Sequence, residues 1–275
     1  MPSVRRELRA VNTAPASENR MHGDEARRYG FASGLVPGVD VLGYVAHDGV
    51  ATWGTAWLGG GRLEGRLQSP VYDGEVVAVV SETAGAGLDV RVEGGSGDAR
   101  AVAHLSMVDA GAPGDRSRAD VLAAADPARF GTAPRPEPSA RPPAARTNLA
   151  AGTVLATQVA RFHADRAPSY LDEISESDPA FRSEGCAHPG WLLRFANWAL
   201  SSTVRLGPWI HVSSDAFLLV PVRDGDELEV RALVTDCFER KGHEIVDLEV
   251  LYLVDGGPVA FVEHRAIWQP RVTAR

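Results

Sequence analysis

The residues of this chain that could do chemistry are few, and they cluster. Ser17-Glu18-Asn19-Arg20-Met21-His22-Gly23-Asp24 forms a polar loop shortly before Pro37-Gly38. Histidine is the side chain whose ordinary pKa lets it take up and return a proton near neutral pH. His22 is therefore the candidate for proton transfer, and Asn19 the residue that shapes and orients its loop. Two further histidines need weighing: His188 directly precedes Pro189-Gly190, and His211 lies in the polar-aromatic cluster Pro208-Trp209-Ile210-His211-Val212-Ser213-Ser214. His104 and His264 fall in strand-like runs and read as ordinary sheet residues. Other chemistries find no support in the sequence. It has no Cys-x-x-Cys or His-x-x-x-His spacing for a metal, no Gly-rich phosphate loop opening a helix and no Gly-x-Ser-x-Gly elbow. No metal and no cofactor is expected.

The elements that must position these residues occur twice. Pro70-Val71-Tyr72-Asp73-Gly74-Glu75 returns 151 residues later as Pro221-Val222-Arg223-Asp224-Gly225-Asp226, and Pro37-Gly38 returns 152 residues later as Pro189-Gly190. Self-similarity at nearly one offset implies two copies of one domain. In the first copy the pattern predicts a strand over 4–13 and an irregular stretch over 14–36, with a short helical piece around Asp24–Tyr29. A helix then opens at Pro37, with Val39, Leu42, Ala46 and Val50 on one apolar face. Strands are predicted near 62–70, 75–83, 87–93 and 100–108, with turns at Asp73-Gly74 and Gly94–Gly97. The second copy predicts a strand at 153–163, a mostly buried helix from Pro189 to Leu200, and strands near 213–222, 226–238, 243–254 and 258–268. The last two are rich in β-branched and aromatic residues. Residues 110–152, dense in Pro, Ala, Gly and Arg, read as a surface linker with little to bury and one short helix near 119–125. The expected domains are thus 1–109 and 153–275, joined by 110–152. Each is a helix wrapped by a curved antiparallel sheet, an α+β architecture. Only the first copy keeps a histidine in the loop ahead of its helix, so function is expected in that asymmetry.

At 275 residues and 44% hydrophobic content the chain can build two cores. A net charge of −8 argues against a nucleic-acid groove or an anionic membrane surface as main partner. Cys186 and Cys237 are too few for a disulfide framework and read as reduced thiols. The N-terminal MPSVRRELRAV lacks the apolar core of a signal peptide, and no stretch reaches the length of a membrane span. A soluble, cytoplasmic protein is expected. Trp191, Trp198, Trp209 and Trp268 read as core or domain contacts. Arg5, Arg6, Arg27, Arg28 and Glu176 read as surface charge.

The loop around His22, followed by Ala26, Gly30-Phe31 and Leu35-Val36-Pro37-Gly38, resembles the MaoC-like hydratase/dehydratase family of hotdog-fold proteins. That family's pattern is Asp-x-Asn-Pro-(apolar)-His-x-Asp, a short Ala-containing helix, Gly-Phe, and a Gly at the start of the hotdog helix. Asn19, Met21, His22, Asp24, Gly30, Phe31 and Gly38 fit it. The resemblance covers both copies as fold and residues 17–38 as motif. It implies a tandem (double) hotdog in which one chain forms the usual pair, as a monomeric pseudo-dimer or a homodimer of it. It also implies an acyl tunnel at the junction and hydro-lyase chemistry, that of an enoyl hydratase or 3-hydroxyacyl dehydratase, on an acyl-CoA or acyl-carrier-protein thioester. His22 would be the acid/base, with Asn19 orienting its loop. Peptide N–H groups near Gly38 and Val39 would hold the thioester carbonyl, where the helix dipole favours growing negative charge. His188 and His211 are candidates to meet substrate.

The match is incomplete in informative ways. The family's Asp falls on Ser17 and its Pro on Arg20, and serine cannot serve as a carboxylate base at neutral pH. Glu18 is adjacent, but in an extended segment its side chain should point the other way. Asp24 and Asp40 are the nearest acidic substitutes, and both read first as helix-start charges. In the second copy Glu176-Ser177-Asp178-Pro179-Ala180-Phe181 fits the template with Glu176 at the acid and Phe181 where the His should stand. His188-Pro189-Gly190-Trp191-Leu192-Leu193 resembles a segment of polyketide synthase dehydratase domains, whose catalytic Asp falls here on Arg194. These departures leave two rivals open: a thioesterase on the same fold, and a non-catalytic acyl-binding protein.

Overall fold

Along Glu227–Arg240, buried Leu228, Val230, Ala232 and Val234 alternate with residues that keep contact with solvent, the period-two pattern of a strand with one face against a core. Ten such segments pair into one sheet in the computed structural model, which describes residues 3–109 and 116–271. They are β1 (Val4–Arg9), β2 (Gly61–Leu67), β3 (Val76–Ala84), β4 (Gly87–Glu93), β5 (Ala99–Met107), β6 (Gln158–Arg161), β7 (Ile210–Leu218), β8 (Glu227–Arg240), β9 (His243–Val254) and β10 (Gly257–Gln269). The order across the sheet is β1-β3-β4-β5-β2-β7-β10-β9-β8-β6. Each half follows the same sequence of strands, so the repeat read from Pro-Gly spacings is a repeat of topology. The halves meet at an antiparallel pair in which Leu63 of β2 lies opposite Ala216 of β7, and Gly65 opposite Ser214.

One long helix from each half lies on the inner face of this sheet: α1 (Gly38–Trp53) in the first half and α5 (Pro189–Thr203) in the second, with the short helices α2 (Arg118–Ala124), α3 (Ala167–Glu173) and α4 (Pro179–Arg182) between them in the chain. The helices approach closely at two glycines, since a Cβ on Gly190 would stand 3.0 Å from the Cα of Gly43. Val39, Leu42, Ala46 and Val50 of α1 are all buried, and each large apolar side chain so buried contributes about 1.5–3 kcal/mol. This is the expected α+β arrangement of a helix wrapped by an antiparallel sheet, twice in one chain.

Three expectations need correction. The first strand stops at Arg9 rather than 13, because Asn12 turns out of the sheet to bond the Asp73 carboxylate. The strand predicted over 153–163 is regular only over Gln158–Arg161, because Leu155 bonds Ala232 while Thr157 bonds the linker carbonyl of Ala133. The third concerns the linker, which buries more than its composition suggests. Its helix α2 (Arg118–Ala124) opens on a capping box between Ser117 and Asp120. Val121, Ala125 and Phe130 then pack on the outer face of the sheet against Phe217, Leu251 and Phe261. Outward-pointing aromatics on β7 and β10 supply a second, smaller core there, and the sparse apolar residues of the linker are spaced to cover it. Linker residues 110–115 lie outside the described residues. Among the described residues no helix is long and apolar enough to cross a membrane, and Cys186 and Cys237 are both free.

Candidate functional site

The loop that carries His22 is held by its own asparagine. Asn19 caps the 3-10 turn Arg20–His22, its Oδ1 accepting from Met21 N–H at 3.2 Å. The same side chain reaches the second half: Nδ2 donates to the Trp209 carbonyl at 3.0 Å, and Trp209 N–H donates to Oδ1 at 3.3 Å. Gly34 lets the chain fold tightly behind this turn, since any Cβ there would collide with the His22 carbonyl.

The tautomer of His22 follows from its partners. Nδ1 lies 2.7 Å from the carbonyl oxygen of Leu35. A carbonyl only accepts, so Nδ1 carries the proton. Nε2 therefore holds the lone pair, with a long 3.3 Å contact from Asn19 Nδ2. Burial pushes the imidazole pKa below its ordinary value, against the opposing pull of the Leu35 carbonyl and the Asp40 charge. His22 is thus a neutral base at neutral pH.

Two cavities meet at this residue. One, of about 490 Å³, is the more polar of the two and includes Ser17, Glu18, Arg135, Arg141 and Arg194 in its wall. The other, of about 260 Å³, is mostly apolar, walled by Phe31, Leu67, Val71, Ile210 and Ile267 among others. His22, Asn19, Asn197 and Trp209 belong to both. The start of α1 is shared too, with Pro37 and Val39 on the polar side and Gly38 on the apolar side. First-turn amides of a helix have no intrahelical acceptor, and the amides of Gly38 and Val39 have no hydrogen-bond partner among the described residues. A base and a pair of dipole-backed donors thus flank one space.

The acidic residues are arranged differently from what local geometry suggests. Glu18 does not point away from Ser17: both line the polar cavity, because a turn closed by Ser17 N–H to Ala14 O breaks the extended alternation. Glu18 is mostly exposed and pairs with the buried Arg141 at 2.9 Å. Asp24 points to solvent with its side chain 93% exposed. Asp40 is fully buried, bound by Thr13 Oγ1 at 2.6 Å and by Arg194 at 3.1 Å. Burial pushes its carboxyl above the usual range, with Arg194 and Thr13 pulling it back. The arginine at the polyketide-dehydratase acid position thus neutralises a carboxylate supplied by the other helix.

The remaining candidates divide. His211 lines the apolar cavity with His22. His188 does not join them: its Nδ1 accepts from Gly190 N–H at 3.1 Å as the cap of α5, and it lines a separate cavity of about 200 Å³. Glu176 is not surface charge. It is buried, 2.8 Å from His47 Nδ1 of α1 and 3.5 Å from His188 Nε2. Burial alone would raise its pKa, but these histidines and two backbone amides hold it well below the usual range. Phe181 packs against the His188 ring with centroids 4.5 Å apart. His104 pairs with Asp89 as a sheet residue can, whereas His264 belongs to a buried polar network with Ser214 and His211. Trp198 is 45% exposed and lines the polar cavity rather than a core. Arg5 and Arg28 are paired with glutamates, Arg6 with the Tyr44 carbonyl and Arg27 with that of Ala32. The cavity's basic wall comes instead from the linker and α5. Nothing in the sequence around Arg135 and Arg141 marks them, because only the path of the linker brings them there.

No family model matches the sequence, and no curated protein matches it. Solved structures do match. A MaoC domain protein dehydratase from Chloroflexus aurantiacus J-10-fl is 10% identical with a TM-score of 0.60, over 98% of this chain and 95% of that one. A Mycobacterium tuberculosis protein described as a double hotdog fold is 15% identical at 0.60, over 97% and 95%. An oleoyl thioesterase from Lactobacillus plantarum is 13% identical at 0.50, over 98% of both chains. At such identities the likeness is one of fold, on which several chemistries can be built. Over nearly its whole length this chain folds as a double hotdog, similar in structure to a MaoC-like dehydratase.

Proposed function

We propose that this chain is an acyl-thioester hydro-lyase with one working site, at the junction around His22. The observation that carries the reading is the Nδ1–H tautomer of His22, which leaves Nε2 as the basic nitrogen of a residue that lines the same cavity as Gly38 at the start of α1. An enoyl chain would lie in the apolar cavity with its thioester oxygen at the amides of Gly38 and Val39. Nε2 takes a proton from water as the water oxygen bonds C3 and the C2–C3 π electrons move towards the carbonyl. The amides hold the resulting enolate charge. The imidazolium then returns the proton to C2, so atoms and charge balance with a single base. Dehydration is the reverse. The exposed Arg135 on the wall of the polar cavity suits a phosphate-bearing carrier, coenzyme A or an acyl-carrier protein.

A second reading is favoured by the pairing of the carboxylates near His22, since Ser17 stands at the family's acid position, Asp40 is bound to Arg194 and Glu18 to Arg141. Water attack on the carbonyl carbon with release of the thiol needs only one base, which is thioesterase chemistry on the same site. An enoyl-CoA assay distinguishes the readings. Loss of the conjugated enoyl absorbance without free thiol, reduced about a hundredfold or more in His22→Ala, is the expected result. Thiol release would assign the thioesterase. Binding with neither signal would assign an acyl-binding protein.

A further inference from the structure

Asn197 carries an amide that the fold leaves unused. On α5, Arg194, Asn197, Trp198 and Ser201 stand three or four positions apart and so share one face of the helix. All four line the more polar cavity. Arg194 and Ser201 are bonded to the protein, the first to Asp40 and Thr13 and the second to the Trp198 carbonyl. The Asn197 side chain has no hydrogen-bond partner among the described residues. Its Oδ1 is sealed and unmatched, whereas Nδ2 is not sealed and keeps contact with open space.

Nothing in the helix calls for this residue. Asparagine is one of the poorer helix formers, and the adjacent face of α5 is apolar and buried at Leu193, Ala196 and Leu200. A sealed, unmatched carbonyl weakens the fold, and an apolar side chain of the same shape would remove that penalty. A buried polar atom left without a partner therefore needs a reason outside the packing.

The reason lies in where the residue stands. His22, Asn19, Asn197 and Trp209 line both cavities and so form the neck between them. The amide of Asn19 is engaged by Met21 and by both backbone groups of Trp209. At the neck the first half of the chain thus supplies the lone pair of His22 Nε2, and the second half supplies the N–H groups of Asn197 Nδ2.

Hydration needs a water whose oxygen is aimed at C3. Such a water gives one hydrogen to the base and one lone pair to the new bond, and its second lone pair is left for a donor. We propose that Asn197 Nδ2–H holds the water that His22 activates, so that a residue of the second half supplies the water site. The inference rests on the hydro-lyase reading above. The water proton passes to His22 Nε2, the oxygen bonds C3, and Asn197 keeps its own protons throughout. In dehydration the same N–H meets the hydroxyl oxygen as the C3–O bond breaks and stabilises the charge that grows there. An amide does this without placing a second titrating charge beside His22.

The test uses the whole protein with two probes, crotonyl-CoA for hydration and butyryl-CoA deuterated at C2 for exchange with solvent. Exchange at C2 needs the base and the carbonyl site but no water at C3. Asn197→Leu should lower hydration about 100-fold or more with KM little changed, while C2 exchange stays near the parent rate. Its melting temperature should equal or exceed that of the parent, because the unmatched carbonyl is gone. Asn197→Ala should show the same split between hydration and exchange, which guards against a misfit of leucine. Asn197→Asp, which turns an acceptor to the site at neutral pH, should hydrate as slowly as Asn197→Leu. Hydration at the parent rate in Asn197→Leu or Asn197→Asp overturns the proposal. So does an equal loss of hydration and exchange, or a lowered melting temperature in both the Leu and Ala variants. A parent that exchanges C2 but does not hydrate overturns the water site and leaves His22 as a base. A parent that does neither overturns the hydro-lyase reading itself.

Discussion

Asn19 and Trp209, from opposite halves of the chain, bind each other through two hydrogen bonds, side-chain amide to carbonyl at 3.0 Å and backbone N–H to side-chain oxygen at 3.3 Å. Asn19 also caps the turn that ends in His22, so the clasp sets the base of the first half against the wall of the second. Asn19→Ala leaves both Trp209 backbone groups unmet in a buried place, at a cost of about 1–3 kcal/mol. A lower melting temperature together with a loss of enoyl turnover is expected. A variant that loses stability but turns over at the parent rate would show that the clasp does not position His22.

The pH dependence of activity should show His22. Its pKa is lowered by burial, and the active form is the neutral base. kcat/KM should therefore rise with pH through a point below 6.5, the ordinary histidine value, and then level off. The Asp40 charge pulls that pKa upward, so Asp40→Asn should move the limb to still lower pH. A limb that moves up, or none below pH 7, would assign the base to another group.

Arg194 and Asp40 join α5 to α1 through a pair whose acid is fully buried. Removing one partner of such a pair is costly because the other is left charged in the core. Arg194→Met is expected to lose about 3–5 kcal/mol in chemical denaturation. The double variant Arg194→Met, Asp40→Leu should recover most of that loss, since no charge then remains buried.

A second ion pair between the halves makes stability depend on pH. The His47 pKa is raised, chiefly by its hydrogen bond to Glu176, so its contribution is complete below 6.5 and is lost as pH rises through the folded value. The Glu176 pKa is lowered despite burial, by bonds from His188 and His47. Its contribution is complete above 4.5 and is lost as pH falls through the folded value. Both are complete between 4.5 and 6.5, where this pair should add most to stability. In Glu176→Gln, melting temperatures measured from pH 4 to 8 should lose that maximum.

Much of the architecture was legible in the residue order because it rests on short-range physics. Pro189 opens α5, and Pro37 immediately precedes α1. Runs rich in β-branched and aromatic residues marked β9 and β10 within a residue or two of their ends. The turn before α1 places His22 and Asn19 together because they are three residues apart and share one cap. What lies on the far side of His22 was not legible. Arg141 reaches the site through a Pro-rich linker whose path is set by Phe130 docking on Phe261. Glu176 is buried because His47 of the other helix meets it. His264 meets Ser214 and the His211 ring only because one extra residue in β7 turns His211 to the same face. Composition, periodicity and caps act within a few residues, so the sequence by itself determined the elements, their repetition and the histidine loop. Pairing of charges, the face a bulge exposes and the walls of a cavity depend on residues far apart in the chain, and only their packing in the tertiary structure decided them.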